Sequence, residues 1–139
     1  DRNPGPAAQR ITFPAPDDAT ASTTDRARAY LDANCAHCHA KDGEVFDKEL
    51  WLDFASTAPD TDPIHWGVCK KPTSAGNAEC DSLLDIVPGD PDNSLMVCRM
   101  ESVGKGQMAP LGRNLPHPGG VDLVRAWITD MDQPACSQE

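Results

Sequence analysis

Five consecutive residues, Cys35-Ala36-His37-Cys38-His39, constrain this chain more than any others. Two thiols two residues apart, with an imidazole directly after the second, have the spacing of covalent haem attachment. Both sulfurs can then form thioethers at neighbouring edges of one ring, while the His swings beneath it to ligate the iron. A chain of this kind must fold around a flat apolar group. Composition agrees, because hydrophobic residues are 39% and aromatics only 5%, low for a self-sufficient core in 139 residues. A buried haem would supply the missing apolar volume. Thirteen Pro and ten Gly point to long ordered loops rather than a sheet.

A bare Cys-x-x-Cys is also half of a zinc site or a thioredoxin-like redox pair. A zinc ribbon needs a second such pair or matched His residues, and the sequence has neither. Cys69, Cys80, Cys98 and Cys136 are widely spaced. A redox dithiol would follow a strand, whereas the residues before Cys35 read as a helix. These four remaining thiols suggest an oxidising compartment and two disulfides. The expected pairing is Cys69–Cys80, closing a short loop, and Cys98–Cys136, tying the chain end down.

The net charge of −10 excludes a nucleic-acid surface, which has to be basic. It also disfavours an anionic membrane, and suits either plain solubility or a partner with a positive patch. No stretch is long or apolar enough to span a bilayer, and no signal peptide is visible. Periplasmic export is therefore expected from the haem and disulfide chemistry.

Residues 1–22 read as an extended arm or linker broken by Pro4, Pro6, Pro14 and Pro16, with Ile11 and Phe13 as apolar anchors. Residues 23–139 read as the haem domain. Thr23 or Thr24 is the expected N-cap of a first helix, with Ala27, Tyr30, Leu31 and Asn34 on one face. A loop-rich middle spans 40–92, with Leu50–Phe54 as a compact apolar cluster packing on the ring. Asp90 and Asp92 fit helix capping better than calcium ligation, and a short helix is predicted from Ser94 to Met100. Gly119-Gly120 opens a last helix with Val121, Val124, Trp127, Ile128 and Met131 at helical intervals, ended by Pro134.

Iron of this type usually takes a second protein ligand. The candidates are Met96, Met100, Met108, Met131, His65 and His117. Met96, Met100 and Met131 sit at core spacing on predicted helices, so packing explains them. His65 and His117 lie in loops. Met108 differs, because its Gly-rich loop, Gly104 to Gly112, lets the backbone approach the ring and hold the sulfur toward iron. Lys41, Lys105 and Arg113 would lie near the rim as solvated charges able to offset the propionates.

Taken together, residues 23–132 resemble class I c-type cytochromes. The motif Cys35–His39 after a helix, the loop Met108-Ala109-Pro110-Leu111-Gly112 and a closing helix with Trp127 carry the likeness. Tyr30–His39, Val87–Pro91, Ser94-Leu95 and Gly120-Val121 are similar to bacterial periplasmic domains found beside quinoprotein (PQQ-type) dehydrogenases. The family usually has Pro where this chain has Ala109. The resemblance implies a mainly α fold of helices around one covalent haem c. It implies Cys35 and Cys38 as attachment points, His39 and Met108 as axial ligands, and first and last helices crossing near Tyr30 and Trp127. The expected role is an electron carrier, not itself an enzyme. It would pass electrons between a periplasmic dehydrogenase and a cytochrome or oxidase. The alternative is a haem protein with an open distal site for a gas or peroxide, served by His65 or His117.

Overall fold

The computed structural model describes residues 12–73 and 80–137. Within them the protein is mainly helical, with α1 at Thr23–Cys35, α2 at Leu95–Glu101 and α3 at Pro118–Thr129. Short 3-10 turns at Phe46–Lys48, Pro63–Trp66 and Pro91–Asn93 punctuate the loops, and no strand occurs among the described residues.

Local chemistry starts α1 one residue earlier than expected. Ser22 is the N-cap, and its hydroxyl accepts from the Asp25 N–H at 3.0 Å. Ala27 and Leu31 are fully buried, Tyr30 is half-buried and Asn34 is exposed. The helix also fixes the loop beside it. Buried Arg28 donates to the Phe54 carbonyl at 2.6 Å and to Thr57 Oγ1 at 3.3 Å, with its guanidinium 3.9 Å from the Phe54 ring centre. Asp32 accepts from the Phe54 N–H at 2.8 Å. Phe54 therefore belongs to α1 and the arm rather than to a ring-facing cluster. Phe13 stacks on it at 4.4 Å, and Arg26 donates to the Pro16 carbonyl at 3.0 Å. Ile11 lies outside the described residues.

α1 and α3 pack against each other through a contact only glycine permits. A Cβ on Gly120 would lie 2.2 Å from Tyr30 Cζ and Oη. Tyr30 in turn stacks on His117 and meets its Nδ1 at 3.1 Å. Trp127 stacks on Trp66 at 5.6 Å, and Trp66 Nε1 donates to Thr61 Oγ1 at 3.2 Å, so the indole is satisfied inside the core. Leu52, Val68, Ile86, Val97, Val124 and Ile128 complete that core. Burying each such side chain is worth about 1.5–3 kcal/mol.

The middle segment is ordered by backbone pairing that periodicity did not reveal. Parallel bridges join Val68 to Ile86 and Leu84 to Ser94. The carbonyls of Leu84 and Asp85 accept the Leu95 and Met96 N–H groups at 3.0 Å each, satisfying donors that a helix start leaves open. Ser94 is thereby freed from capping. Its buried hydroxyl accepts from Val87 N–H and donates to the Asp90 carbonyl, both at 2.9 Å. Asp90 caps the turn before it, accepting from Asn93 N–H at 3.2 Å, and Asp92 pairs with Arg125. Asp90 thus caps as expected, whereas Asp92 serves in an ion pair.

α3 ends at Thr129, well before Pro134, because the Ile128 carbonyl is taken by the Gly89 N–H at 2.9 Å. Met131 lies beyond the helix and still packs on the core. The disulfides depart from expectation: they are Cys69–Cys136 and Cys80–Cys98, with Cα separations of 5.2 and 6.0 Å. The expected pairs Cys69–Cys80 and Cys98–Cys136 do not form. The bridges carry Cys80 to α2 and leave Cys69 beside the tail after α3. No helix is long and apolar enough to cross a membrane among the described residues.

Candidate functional site

The last turn of α1 runs directly into Cys35–His39. His39 N–H donates to the Cys35 carbonyl at 2.8 Å and Cys38 N–H to the same oxygen at 3.1 Å, coiling the five residues tightly. The next loop doubles back beneath them. Val45 N–H reaches the Cys38 carbonyl at 3.1 Å and Leu52 N–H the His39 carbonyl at 2.7 Å. Gly43 lies so close that a Cβ there would sit 2.3 Å from the Cys38 oxygen.

Cys35 and Cys38 are half-buried free thiols. Burial, reinforced by Cys38, pushes the Cys35 thiol up to about 11, so it is neutral at pH 7. Burial also lowers the pKa of His39, keeping its imidazole neutral. The Leu50 backbone opposes that shift without reaching hydrogen-bond geometry, and Nδ1 is buried with no partner. A neutral imidazole keeps one ring nitrogen free of a proton and so able to bind a metal.

These side chains line a cavity of about 250 Å³. That is far above the ~10–15 Å³ one water needs, so the space suits an organic group. Cys35, Cys38 and His39 contribute to its lining, as do Leu31, Leu50, Leu52 and Val45. Met96, Met100, Met108, Ala109 and Pro110 also line it. Residues far apart in sequence, from α1 and from the loop after α2, thus meet around one apolar space. Met131, His65 and His117 do not line it. His65 is half-buried and stacked on Trp51 at 4.3 Å, and His117 is engaged with Tyr30.

The cations near this space are not the ones expected. Lys41 sits 4.7 Å above the Trp51 ring and Lys105 is exposed. Arg113 is not a solvated charge, since its guanidinium donates to three backbone carbonyls of the Met108 region. Lys48, Lys70 and Arg99 line the cavity instead, with Thr73 and Asp85. Lys70 and Asp85 form a pair at 3.5 Å with side chains only 11% and 10% exposed. Burial raises the Asp85 pKa, and Lys70 and Arg99 oppose the rise. Sequence reasoning missed these residues because contacts at a distance bring their segments to the cavity, the Val68–Ile86 and Leu84–Ser94 bridges and the Thr73 hydroxyl donating to the Lys48 carbonyl.

Among the described residues, no three His, Cys, Asp or Glu side chains gather as a metal-holding group. No family model, curated protein or solved structure matches the chain.

Proposed function

We propose that the cavity holds one covalent haem c and that the protein is a mono-haem electron carrier of the class I c-type cytochrome kind. The observation that carries this reading is the convergence of Cys35, Cys38 and His39 with Met108 on one apolar cavity. Proximity of two free thiols and a neutral, unpartnered imidazole matches the donor set that haem attachment requires. Lys48, Lys70 and Arg99 supply positive charge for propionates, and the apolar lining suits the ring.

When bound, the haem would supply one-electron exchange between ferrous and ferric iron. The chain's own residues do the rest. His39 and Met108 would hold the iron, and Leu31, Leu50, Leu52 and Leu95 would keep water out of the cavity. Two protein side chains holding the metal within a packed pocket would keep reorganisation small. The acidic chain fits brief docking on a basic partner, with an exported dehydrogenase as donor and a cytochrome or oxidase as acceptor. His65 and His117, the acid–base groups expected for the open-site alternative, lie away from the cavity, while His37 and Asp85 line it.

The test is absorption of the protein matured with covalent haem, oxidised and then reduced. Low-spin bands, with the weak long-wavelength sulfur-to-iron band in the oxidised form, are expected. Met108→Ala should abolish that band and lower the reduction potential, and Cys35→Ser with Cys38→Ser should abolish covalent haem. Covalent haem retained in the double variant would refute the attachment.

A further inference from the structure

Met108 sits in a loop that packing alone does not hold. Two of its neighbours, Leu111 and Leu115, are 84% and 76% exposed, so hydrophobic burial does not anchor this stretch. Hydrogen bonds do. Met108 N–H donates to the Arg99 carbonyl at 2.9 Å, tying the loop to the last turn of α2. The Met108 carbonyl accepts from Arg113 Nε at 3.0 Å. Nη2 of the same guanidinium donates to the carbonyls of Arg99 at 3.0 Å and Ser102 at 2.8 Å. One planar cation thus spans the C-terminal end of α2 and the backbone of Met108, where helix carbonyls are left open and the dipole favours positive charge. Gln107 closes the loop from the other side. Its Oε1 accepts from Gly104 N–H at 2.7 Å, and its Nε2 donates to the carbonyls of Ala109 at 3.1 Å and Arg113 at 3.2 Å.

We propose that Arg113, with Gln107, is a positioning residue that presents the Met108 thioether to the cavity and so sets how firmly it holds the iron. This rests on the function proposed above. Arg113 does not line the cavity, so it acts through the loop. A thioether is a weak neutral donor, and a mobile loop would have to be ordered each time it bound. Fixing the loop beforehand removes that cost. The fork geometry matters, because a lysine ammonium is a single point charge that does not span three carbonyls.

The experiment uses haem-loaded ferric protein titrated with imidazole, which competes with Met108 for iron. The sulfur-to-iron band is the readout, with thermal midpoint and helix content recorded alongside. Arg113→Gln should raise the apparent imidazole affinity about tenfold or more, the effect of losing a charged hydrogen bond from the Met-bound state. Arg113→Lys should recover only part of the difference. Affinity within twofold of the parent in both variants overturns the proposal, and so does a lowered midpoint with affinity unmoved. If the Arg113 variants do not accumulate, Gln107→Leu carries the test, with the same rise expected and an unchanged affinity overturning it. Met108→Ala separates the two claims. If it keeps the band, the ligand assignment fails and this role with it. If it loses the band while the Arg113 variants bind imidazole like the parent, only the role of Arg113 fails.

Discussion

Gly120→Ala sets two opposing effects against each other at the contact between α1 and α3. Alanine is better than glycine inside a helix by about 1 kcal/mol, so an open site would gain stability. Here the new methyl would lie 2.2 Å from Tyr30 Cζ and Oη and 2.6 Å from Cε2. Something has to move. If the helices part, overpacking costs about 1–3 kcal/mol. If Tyr30 swings out instead, it leaves its stack on His117 and the 3.1 Å contact with Nδ1. Losing a hydrogen bond and an aromatic contact of this kind costs roughly 1–2 kcal/mol. Either route at least offsets the helix gain, and the net destabilisation should be up to about 2 kcal/mol. For a chain of 139 residues that lowers the melting midpoint by up to about 6 °C. Denaturant unfolding of the four proteins of a cycle with Tyr30→Ala measures the coupling. On the Tyr30→Ala background the same change should become neutral or stabilising. A stabilised Gly120→Ala single variant would refute the reasoning, as would an equal cost on both backgrounds.

Three further outcomes test the rest of the structure. Non-reducing peptide mapping should recover Cys69 joined to Cys136 and Cys80 joined to Cys98, and recovery of Cys69 with Cys80 would contradict the fold of the middle segment. Removing the first bridge, whose sequence separation is 67, should cost about 4 kcal/mol, against about 3 for the second, whose separation is 18. Asp85 gives a pH signature. Its folded pKa is raised above 3.8 by burial, so the folded protein binds this proton more tightly than the unfolded chain. The cost of ionised Asp85 is absent below pH 3.8 and grows as pH rises toward the folded value. Relative to Asp85→Asn, the parent should therefore gain stability as pH falls through that window. Parallel stability–pH curves for the two would refute it.

Features written in neighbouring residues were legible in the sequence. The helix before Cys35, the turn at Asp90 and the helix after Ser94 all depend on local caps and periodicity, and they stand where the pattern put them within a residue or two. Cys35, Cys38, His39 and Met108, the residues singled out in the sequence, line one cavity. What was not legible depends on pairing at a distance. A short Cys69–Cys80 loop is the cheaper closure, yet the Leu84–Ser94 bridge overrides it by drawing the Cys80 segment to α2. The stop of α3 at Thr129 rests on Gly89, some forty residues upstream, claiming a carbonyl of its last turn. Arg113 gave no sign of its role, since a cation in a Gly-rich loop reads as solvated until its three acceptors are in place.

The Cys69–Cys136 bridge divides the cavity walls into two mechanical bodies. It closes a covalent ring that contains α2, α3 and Met108, with Cys80–Cys98 nested inside it. The segment bearing Cys35, Cys38 and His39 lies outside that ring. Tension applied to the two chain ends passes through the bridge and bypasses everything it encloses. Under load the Cys35–His39 segment would peel away while the Met108 side stays furled, so rupture force would report directly on what joins the two walls.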